Sequence, residues 1–207
     1  MICLPATATR GEDYRSLMKA KIVVTSMTLL IGLLSVTAAS PFKNTSGNSL
    51  LHRPSNCSFP ANVALFNRGG THIYGSGERD ISVRYLFDSS IIGDVYVYPV
   101  GTYGKDLTTE FQIQQRAIGQ KNKKVKLISQ ENVRTNQNGR SIVGLHASYE
   151  LTRPLFSSSD QRCGSQLYVF RDGSWFVAYR FSYPREKSSV ALNHVSNFLA
   201  HWRWKQS

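Results

Sequence analysis

Residues 165–184 read SQLYVFRDGSWFVAYRFSYP, in which two runs rich in aromatic and β-branched side chains flank an Asp-Gly pair. Such runs favour strands, and Asp172-Gly173 is the strongest signal for a tight hairpin turn in the chain, because turns that fit strand twist need positive φ. With a two-residue loop, Phe170 lies opposite Trp175. We predict that this β-hairpin forms the centre of a sheet.

The two faces of this hairpin are both apolar near the turn. A strand pair of this kind is either buried between two layers or presents one aromatic face to a ligand. Burial is favoured, because aromatic stripes in strands are usually core. Since side chains alternate along a strand, one face carries Tyr168, Phe170, Trp175, Val177, Tyr179, Phe181 and Tyr183, and the other carries Leu167, Val169, Phe176, Ala178 and Arg180.

One cation, Arg180, stands on an otherwise apolar face between Ala178 and Ser182. A buried guanidinium needs a carboxylate or carbonyl partner, because the loss of its hydration is costly. A structural ion pair and a ligand clamp would both meet that need. If the hairpin binds a partner, the candidate binding residues are Arg180, Trp175 and Tyr179.

The first 39 residues contain the pattern of an export signal. Lys19 and Lys21 form a basic start, residues 22–36 form an apolar core, and residues 37–39 form a small-residue cleavage site. We therefore predict a signal peptide over residues 18–39, starting near Met18, with residues 1–17 as an upstream extension. This pattern predicts a secreted or periplasmic protein.

The exported part is predicted to begin with a flexible arm. Residues 40–60 are rich in Ser, Asn and Pro and lack periodicity. Residues 61–205 then form a single globular domain of ordinary size. In an oxidising compartment Cys57 and Cys163 are candidates for one disulfide, and two separate thiols are the alternative.

The globular part contains several strands, a helix, four strands in two hairpins and a closing helix. The first helix is predicted over residues 106–120 with Asp106 as its N-cap, and the second over residues 188–204. Residues 136–139, Asn-Gln-Asn-Gly, predict the second hairpin turn. Successive hairpins make an antiparallel sheet, so we predict an α+β fold in which two helices cover an antiparallel β-sheet as an α/β/α sandwich.

Four segments of the chain resemble the PsbP-like fold. This fold is shared by the extrinsic subunit P of the oxygen-evolving complex and by the Ran-binding Mog family, and it occurs in small exported proteins of unknown function. The resemblance implies a mostly non-enzymatic adaptor and identifies no functional residues. It rests on residues 80–85, DISVRY; residues 94–99, DVYVYP; residues 173–180, GSWFVAYR; and residues 198–202, FLAHW.

The chain is strongly basic, with a formal net charge of +12, of which +10 belongs to residues 40–207. Such an excess favours anionic partners, namely lipid head groups, cell-wall polymers, nucleic acid or an acidic protein. The absence of a helix-turn-helix, zinc-finger or RNA-binding motif argues against nucleic acid. The densest basic cluster consists of Lys121, Lys123, Lys124 and Lys126, which form either a solvated turn or an anion-binding patch.

No spacing of His, Cys, Asp or Glu is typical of a metal site, and no motif marks a nucleophile or a cofactor. We therefore predict no metal, cofactor or catalytic residue. A hydrolase that uses His72 or His146 is the remaining catalytic alternative. The preferred function is an exported protein-binding or adaptor domain with an envelope or secreted protein as partner, and the alternative is an electrostatic binder of envelope polyanions, lipid head groups or cell-wall polymers.

Overall fold

The computed structural model describes residues 40–204, which fold into strands and two α-helices within one compact unit. The predicted signal peptide lies outside these residues. The helices are α1 (Leu107–Lys121) and α2 (Ser188–His201). The strands are β1 (Phe42–Thr45), β2 (Ser49–His52), β3 (Cys57–Phe59), β4 (Asn62–Val63), β5 (Phe66–Tyr74), β6 (Asp80–Phe87), β7 (Ile91–Pro99), β8 (Lys123–Gln137), β9 (Arg140–Arg153), β10 (Gln161–Asp172) and β11 (Trp175–Pro184).

The main sheet has eight antiparallel strands in the order β4-β5-β6-β7-β11-β10-β9-β8, with the predicted hairpin, β10 and β11, in its interior. The turn lies one residue later than predicted, because Asp172 pairs with Trp175 and Gly173-Ser174 form the loop. Gly173 has a φ of 61°, as expected for the first central position of a type II′ turn. The shift leaves every side chain on its predicted face, because each residue's partner changes by two positions, the period of side-chain alternation; Phe170, for example, pairs with Val177 instead of Trp175.

The two faces of the sheet carry separate cores, and each core includes one helix. Val177, Tyr179 and Phe181 pack with Val195 and Phe198 of α2. On the other face, Leu167, Val169, Phe176 and Ala178 pack with Phe111 and Ile118 of α1. The predicted α+β fold with helices on both faces is therefore confirmed. Neither helix of the described part is long and apolar enough to span a bilayer.

The segment predicted as a flexible arm, residues 40–60, instead contains strands β1, β2 and β3, which form a small antiparallel sheet. Its order comes from contacts distant in sequence. Phe59 is fully buried against Trp202 at 5.5 Å between ring centroids, and the Trp202 indole donates to Ser58 O at 3.0 Å. Composition alone suggested disorder, because most of the segment is polar and only a few apolar side chains enter the core.

The predicted disulfide between Cys57 and Cys163 is absent. Both cysteines are buried, but Cys57 belongs to the core that includes α2, whereas Cys163 belongs to the core that includes α1. The sheet separates the two sulfur atoms, and a disulfide requires Cα atoms within about 7 Å of each other.

A buried histidine, His52, ties the small sheet to the loop before β6. Its Nε2 lies 3.0 Å from Glu78 O and its Nδ1 lies 2.7 Å from Ser55 Oγ. Because a carbonyl only accepts, Nε2 donates to Glu78 O, and Nδ1 of the neutral ring accepts from the Ser55 hydroxyl. Burial lowers the pKa of His52 from 6.5, although the bond to Glu78 opposes this shift.

This histidine should make the fold less stable in mild acid. The unfolded chain binds a proton at His52 near pH 6.5, whereas the folded chain binds it only at lower pH. The stability that comes from the neutral His52 is therefore fully present above pH 6.5 and is lost as the pH falls through the pKa of the folded state. We expect His52→Gln to reduce the difference in unfolding free energy between about pH 8 and about pH 5, measured by urea denaturation. His201→Gln, at an exposed histidine, is the control, and an equal pH dependence in wild type and His52→Gln would contradict the assignment.

Candidate functional site

One groove of about 260 Å³ gathers basic side chains around a single carboxylate. It is lined by residues of β8, β9 and β10 and by the short 3-10 turn Arg185–Lys187 that follows β11. We call Lys124, Lys126, Arg162 and Arg185, which surround Glu150, the basic groove.

The pairing of three strands explains this geometry. Lys126 lies directly opposite Glu150 across β8 and β9, and Arg162 comes from the neighbouring strand β10. Arg185 donates to Glu150 Oε1, and Arg162 Nη2 lies 3.7 Å from Glu150 Oε2. The hydrogen bond from Arg185 lowers the pKa of Glu150 below its ordinary value, so this carboxylate stays charged at neutral pH. Four cations against one carboxylate leave the groove positive.

Strand β8 adds an open edge beside the basic groove. It is the last strand of the sheet, is 15 residues long and is exposed along most of its length. Leu127 and Ile128, which follow Lys126, are each 49% exposed. An edge strand can pair with an added strand, and lysines on such an edge limit unspecific pairing. The edge therefore offers backbone groups and apolar side chains next to the cations.

The other two predicted lysines point elsewhere. Lys123 Nζ pairs with Asp160 Oδ2 at 2.7 Å, and both side chains are exposed, so this pair contributes little to stability. Lys121, at the end of α1, lines a different cavity that contains Arg180. The lysine run predicted as one patch is thus divided between two sites, with only Lys124 and Lys126 in the basic groove.

The second candidate site surrounds Arg180 on the α1 face of the sheet. Arg84, Asp94 and Arg180 lie in one row across β6, β7 and β11. Asp94 is held by Arg84 in a bidentate pair, with Nε to Oδ1 at 2.8 Å and Nη2 to Oδ2 at 3.1 Å. Within residues 40–204, the buried Nε and Nη2 of Arg180 have no hydrogen-bond partner. The partner predicted for a buried Arg180 is therefore not supplied by the described chain.

Arg180 lines a cavity of about 130 Å³ between the sheet and α1, which we call the Arg180 cavity. Its walls include Tyr96, Tyr98 and Ile118, together with the charged groups of Lys121 and Asp80. Burial lowers the pKa of Arg180, with the negative groups nearby only partly offsetting the loss of hydration.

A buried carboxylate, Glu110, fixes the wall of this cavity. It has no exposed surface, whereas acidic side chains are almost never fully buried unless they are paired. Tyr98 Oη donates to Glu110 Oε1 at 2.8 Å, Gln114 Nε2 donates to the same oxygen at 2.7 Å, and Gly104 N donates to Oε2 at 2.8 Å. Asp106 caps the helix as predicted by accepting from Thr109 N at 2.9 Å. Together these bonds join the loop before α1 to β7.

The two aromatic residues predicted as binding residues lie on the opposite face from Arg180. Tyr179 is buried in the core and its hydroxyl accepts from the Trp204 indole, so its ring faces no partner. Trp175 is half-buried, with the Arg79 guanidinium 5.4 Å from its ring and His52 edge-on at 5.9 Å. The structure therefore does not bring Arg180, Trp175 and Tyr179 together in one site.

The histidines of the catalytic alternative are also apart. His146 is buried on Tyr168, with Nε2 2.7 Å from Gln166 Oε1 and Nδ1 3.0 Å from Glu131 Oε1. His72 contacts Tyr74 edge-on and lines an open groove beside the Arg180 cavity. Among residues 40–204, no three His, Cys, Asp or Glu side chains group as a metal site would require.

Sequence reasoning missed the residues that complete both sites. Glu150, Arg162 and Arg185 are distant from the lysine run, and only strand pairing brings them to it. Arg84 and Asp94 flank Arg180 for the same reason. Alternation shows on which face each residue lies, but the register between distant strands has no local signal.

No protein-family model and no curated protein matches the chain. Among solved structures, it is similar to the solution structure of cyanobacterial PsbP (CyanoP) from Synechocystis sp. PCC 6803, with a TM-score of 0.45 and 11% identity over 84% of this chain and 98% of that chain. A second similar structure is PA94 from Pseudomonas aeruginosa, a protein of unknown function, with a TM-score of 0.41 and 9% identity over 67% of this chain and 100% of that chain.

Cyanobacterial PsbP belongs to the family that the strand pattern resembled. At these TM-scores and identities the similarity carries no argument about the family or the function of this chain, so the function must be argued from the sites.

Proposed function

We propose that this protein is an exported, non-catalytic binding domain that docks an acidic segment of another envelope or secreted protein in the basic groove. The observation that carries the proposal is that four cations line one groove together with Glu150. Export is supported by the signal-peptide pattern of residues 18–39, which lie outside the described residues.

The burial of the aromatic hairpin favours this surface over the sheet. Helices cover the two faces of the hairpin, and its rings pack with α2 in the core. A binding surface must therefore be sought among exposed residues. The formal net charge of +12 points to the basic ones. Arginine and lysine recognise carboxylates well, since a guanidinium can form two parallel hydrogen bonds with one carboxylate.

A protein segment fits this surface better than a lipid bilayer or a polymer does. The cations line a concave groove that already holds one carboxylate, and Arg162 is 72% exposed while it makes only a long contact of 3.7 Å with Glu150. Its guanidinium can therefore donate hydrogen bonds to a second carboxylate. The open edge of β8 and the exposed Leu127 and Ile128 add backbone and apolar contacts that a polypeptide can use.

Neutralising the basic groove should abolish capture of the partner. In the groove variant, Lys124, Lys126, Arg162 and Arg185 are each changed to Gln. The full chain and this variant serve as bait in envelope extract. We expect the retained protein to bind the variant at least about tenfold more weakly, because the charged hydrogen bonds between the groove and the carboxylates of the partner are lost. Binding to wild type should also weaken as salt is raised.

A charge-matched variant separates local contacts from net charge. Lys43, Lys105, Arg116 and Arg171 are exposed outside the groove, and changing these four to Gln also removes four positive charges. This control should bind as wild type does. Equal capture by wild type and the groove variant would contradict the proposal, whereas binding to anionic vesicles or cell-wall polymer without a retained protein would favour the polyanion alternative.

A further inference from the structure

We propose that the acidic segment docked in the basic groove also carries an aliphatic side chain, which binds in an adjoining concavity between Ile128 of β8 and Leu192 of α2. We call this concavity the Leu192 groove. The inference rests on the function proposed above and specifies the partner further, as an acidic segment with a leucine-like side chain next to its carboxylates.

The first argument is the position of the Leu192 groove, which measures about 340 Å³ and lies beside α2. Glu150 and Arg185 line both this groove and the basic groove, so the two are continuous. Arg185 donates to Glu150, and this pair supplies the charges of the Leu192 groove, which therefore balance. The other three cations line only the basic groove. A segment whose carboxylates bind those cations can thus place an adjacent side chain in a neutral groove.

The second argument is that two exposed aliphatic side chains share this concavity. Ile128 is 49% exposed and Leu192 is 43% exposed, and they line the groove from different elements. Single exposed aliphatic residues are ordinary, but apolar surface in a concavity with a polar rim is typical of a binding site. A cavity of about 150 Å³ holds benzene, so a groove of about 340 Å³ has room for a leucine side chain.

The third argument is the β-bulge that contains Ile128. Leu127 pairs with Tyr149 and Ser129 pairs with Ser148, so Ile128 is an extra residue without a partner on β9. Bulges re-aim side chains and are frequent next to functional sites. This one adds an aliphatic side chain to the groove while Lys126 still lies opposite Glu150.

The polar side chains at the base of the Leu192 groove are already hydrogen-bonded to one another. Gln166 Nε2 donates to Tyr183 Oη at 2.7 Å and to Ser148 Oγ at 3.1 Å, and Gln166 Oε1 lies 2.7 Å from His146 Nε2. An aliphatic side chain that covers this network breaks none of its bonds, so the gain from burying apolar surface is not offset by lost hydrogen bonds. This favours an apolar occupant over a polar one.

The test is titration of the purified full chain with the capped peptide Glu-Glu-Leu-Glu-Glu, which has carboxylates on either side of its leucine and so suits both chain directions. Two comparison peptides replace the leucine by serine, or all four glutamates by glutamine. Calorimetry or ligand-observed NMR gives the affinities. We expect the leucine peptide to bind at least about tenfold more tightly than either, because the serine peptide lacks the apolar contact and the glutamine peptide lacks the charged hydrogen bonds.

A double variant, Ile128→Ser with Leu192→Ser, should lower the affinity for the leucine peptide about tenfold and leave that for the serine peptide unchanged. The matched control is Leu65→Ser with Val190→Ser, because these aliphatic residues are 62% and 53% exposed and line neither groove. The control should bind all three peptides as wild type does.

The inference and the proposed function fail in different ways. The Leu192 groove is refuted, and the basic groove stands, if wild type binds the leucine and serine peptides equally while the groove variant binds both weakly. The same holds if the double variant keeps the preference for leucine. Acidic docking itself is contradicted, and the inference with it, if no peptide binds, if the glutamine peptide binds as tightly as the leucine peptide, or if the groove variant binds as wild type does.

Discussion

Replacing Phe198 by Ala is expected to destabilise the protein by about 3–5 kcal/mol, because it removes a large ring from the centre of the core beneath α2. Phe198 has no exposed surface. Its ring contacts Phe66 and Tyr85 at 5.1 Å each and Phe181 at 5.3 Å between centroids, so three strands lose packing at once. Urea denaturation monitored by tryptophan fluorescence measures the change in the free energy of unfolding.

Leu192→Ala is the control on the same helix, since Leu192 is 43% exposed. Truncation there should cost less than about 1 kcal/mol. If Phe198→Ala were no more destabilising than Leu192→Ala, α2 would not cover the sheet as described, and the aromatic face would again be open to a partner.

Replacing Glu110 by Ala is expected to cost about 3 kcal/mol, because three donors, Tyr98 Oη, Gln114 Nε2 and Gly104 N, lose their buried acceptor at once. Urea denaturation measures the change in the free energy of unfolding.

Glu110→Gln keeps the shape and one acceptor oxygen, so we expect it to lose less than half as much stability as Glu110→Ala. Glu186→Ala, at an exposed glutamate after β11, controls for the loss of one negative charge and should be close to neutral. Equal stability of Glu110→Ala and Glu186→Ala would show that the buried carboxylate does not hold the loop before α1.

Much of the fold follows from period-two patterns that are local in sequence. The hairpin of β10 and β11 has the predicted faces, because alternation alone determines which side chains share a face. Only the turn differs from the prediction, by one residue. Both Asp172-Gly173 and Gly173-Ser174 can form a two-residue loop, and the local sequence does not show which of them the strand pairing selects. The turn at Asn138-Gly139 was confirmed, with positive φ at both residues.

What the sequence did not show depends on contacts between distant segments. Residues 42–59 are tied to the main domain by contacts such as that of Phe59 with Trp202. Glu110 resembles an ordinary acidic residue at a helix start, and only Gly104 and Tyr98 reveal that it is buried. Such order is tertiary in origin, and composition does not report it.

The candidate sites were predictable only in part, because their residues come from segments that are distant in sequence. The lysine run and the odd position of Arg180 are visible in the sequence, so each site had at least one recognisable member. Arg162 and Arg185 join Lys126 only through strand register. The sequence therefore showed which residues were unusual, but not which of them meet.

The most direct test of the basic groove as the docking site is carbodiimide cross-linking of the full chain to its captured partner, followed by mass spectrometry. This reagent joins a lysine amine to a carboxylate in direct contact. We predict that Lys124 and Lys126 link to acidic residues of the partner. Links confined to Lys43, Lys105 or Lys187, which are exposed outside the groove, would contradict the account.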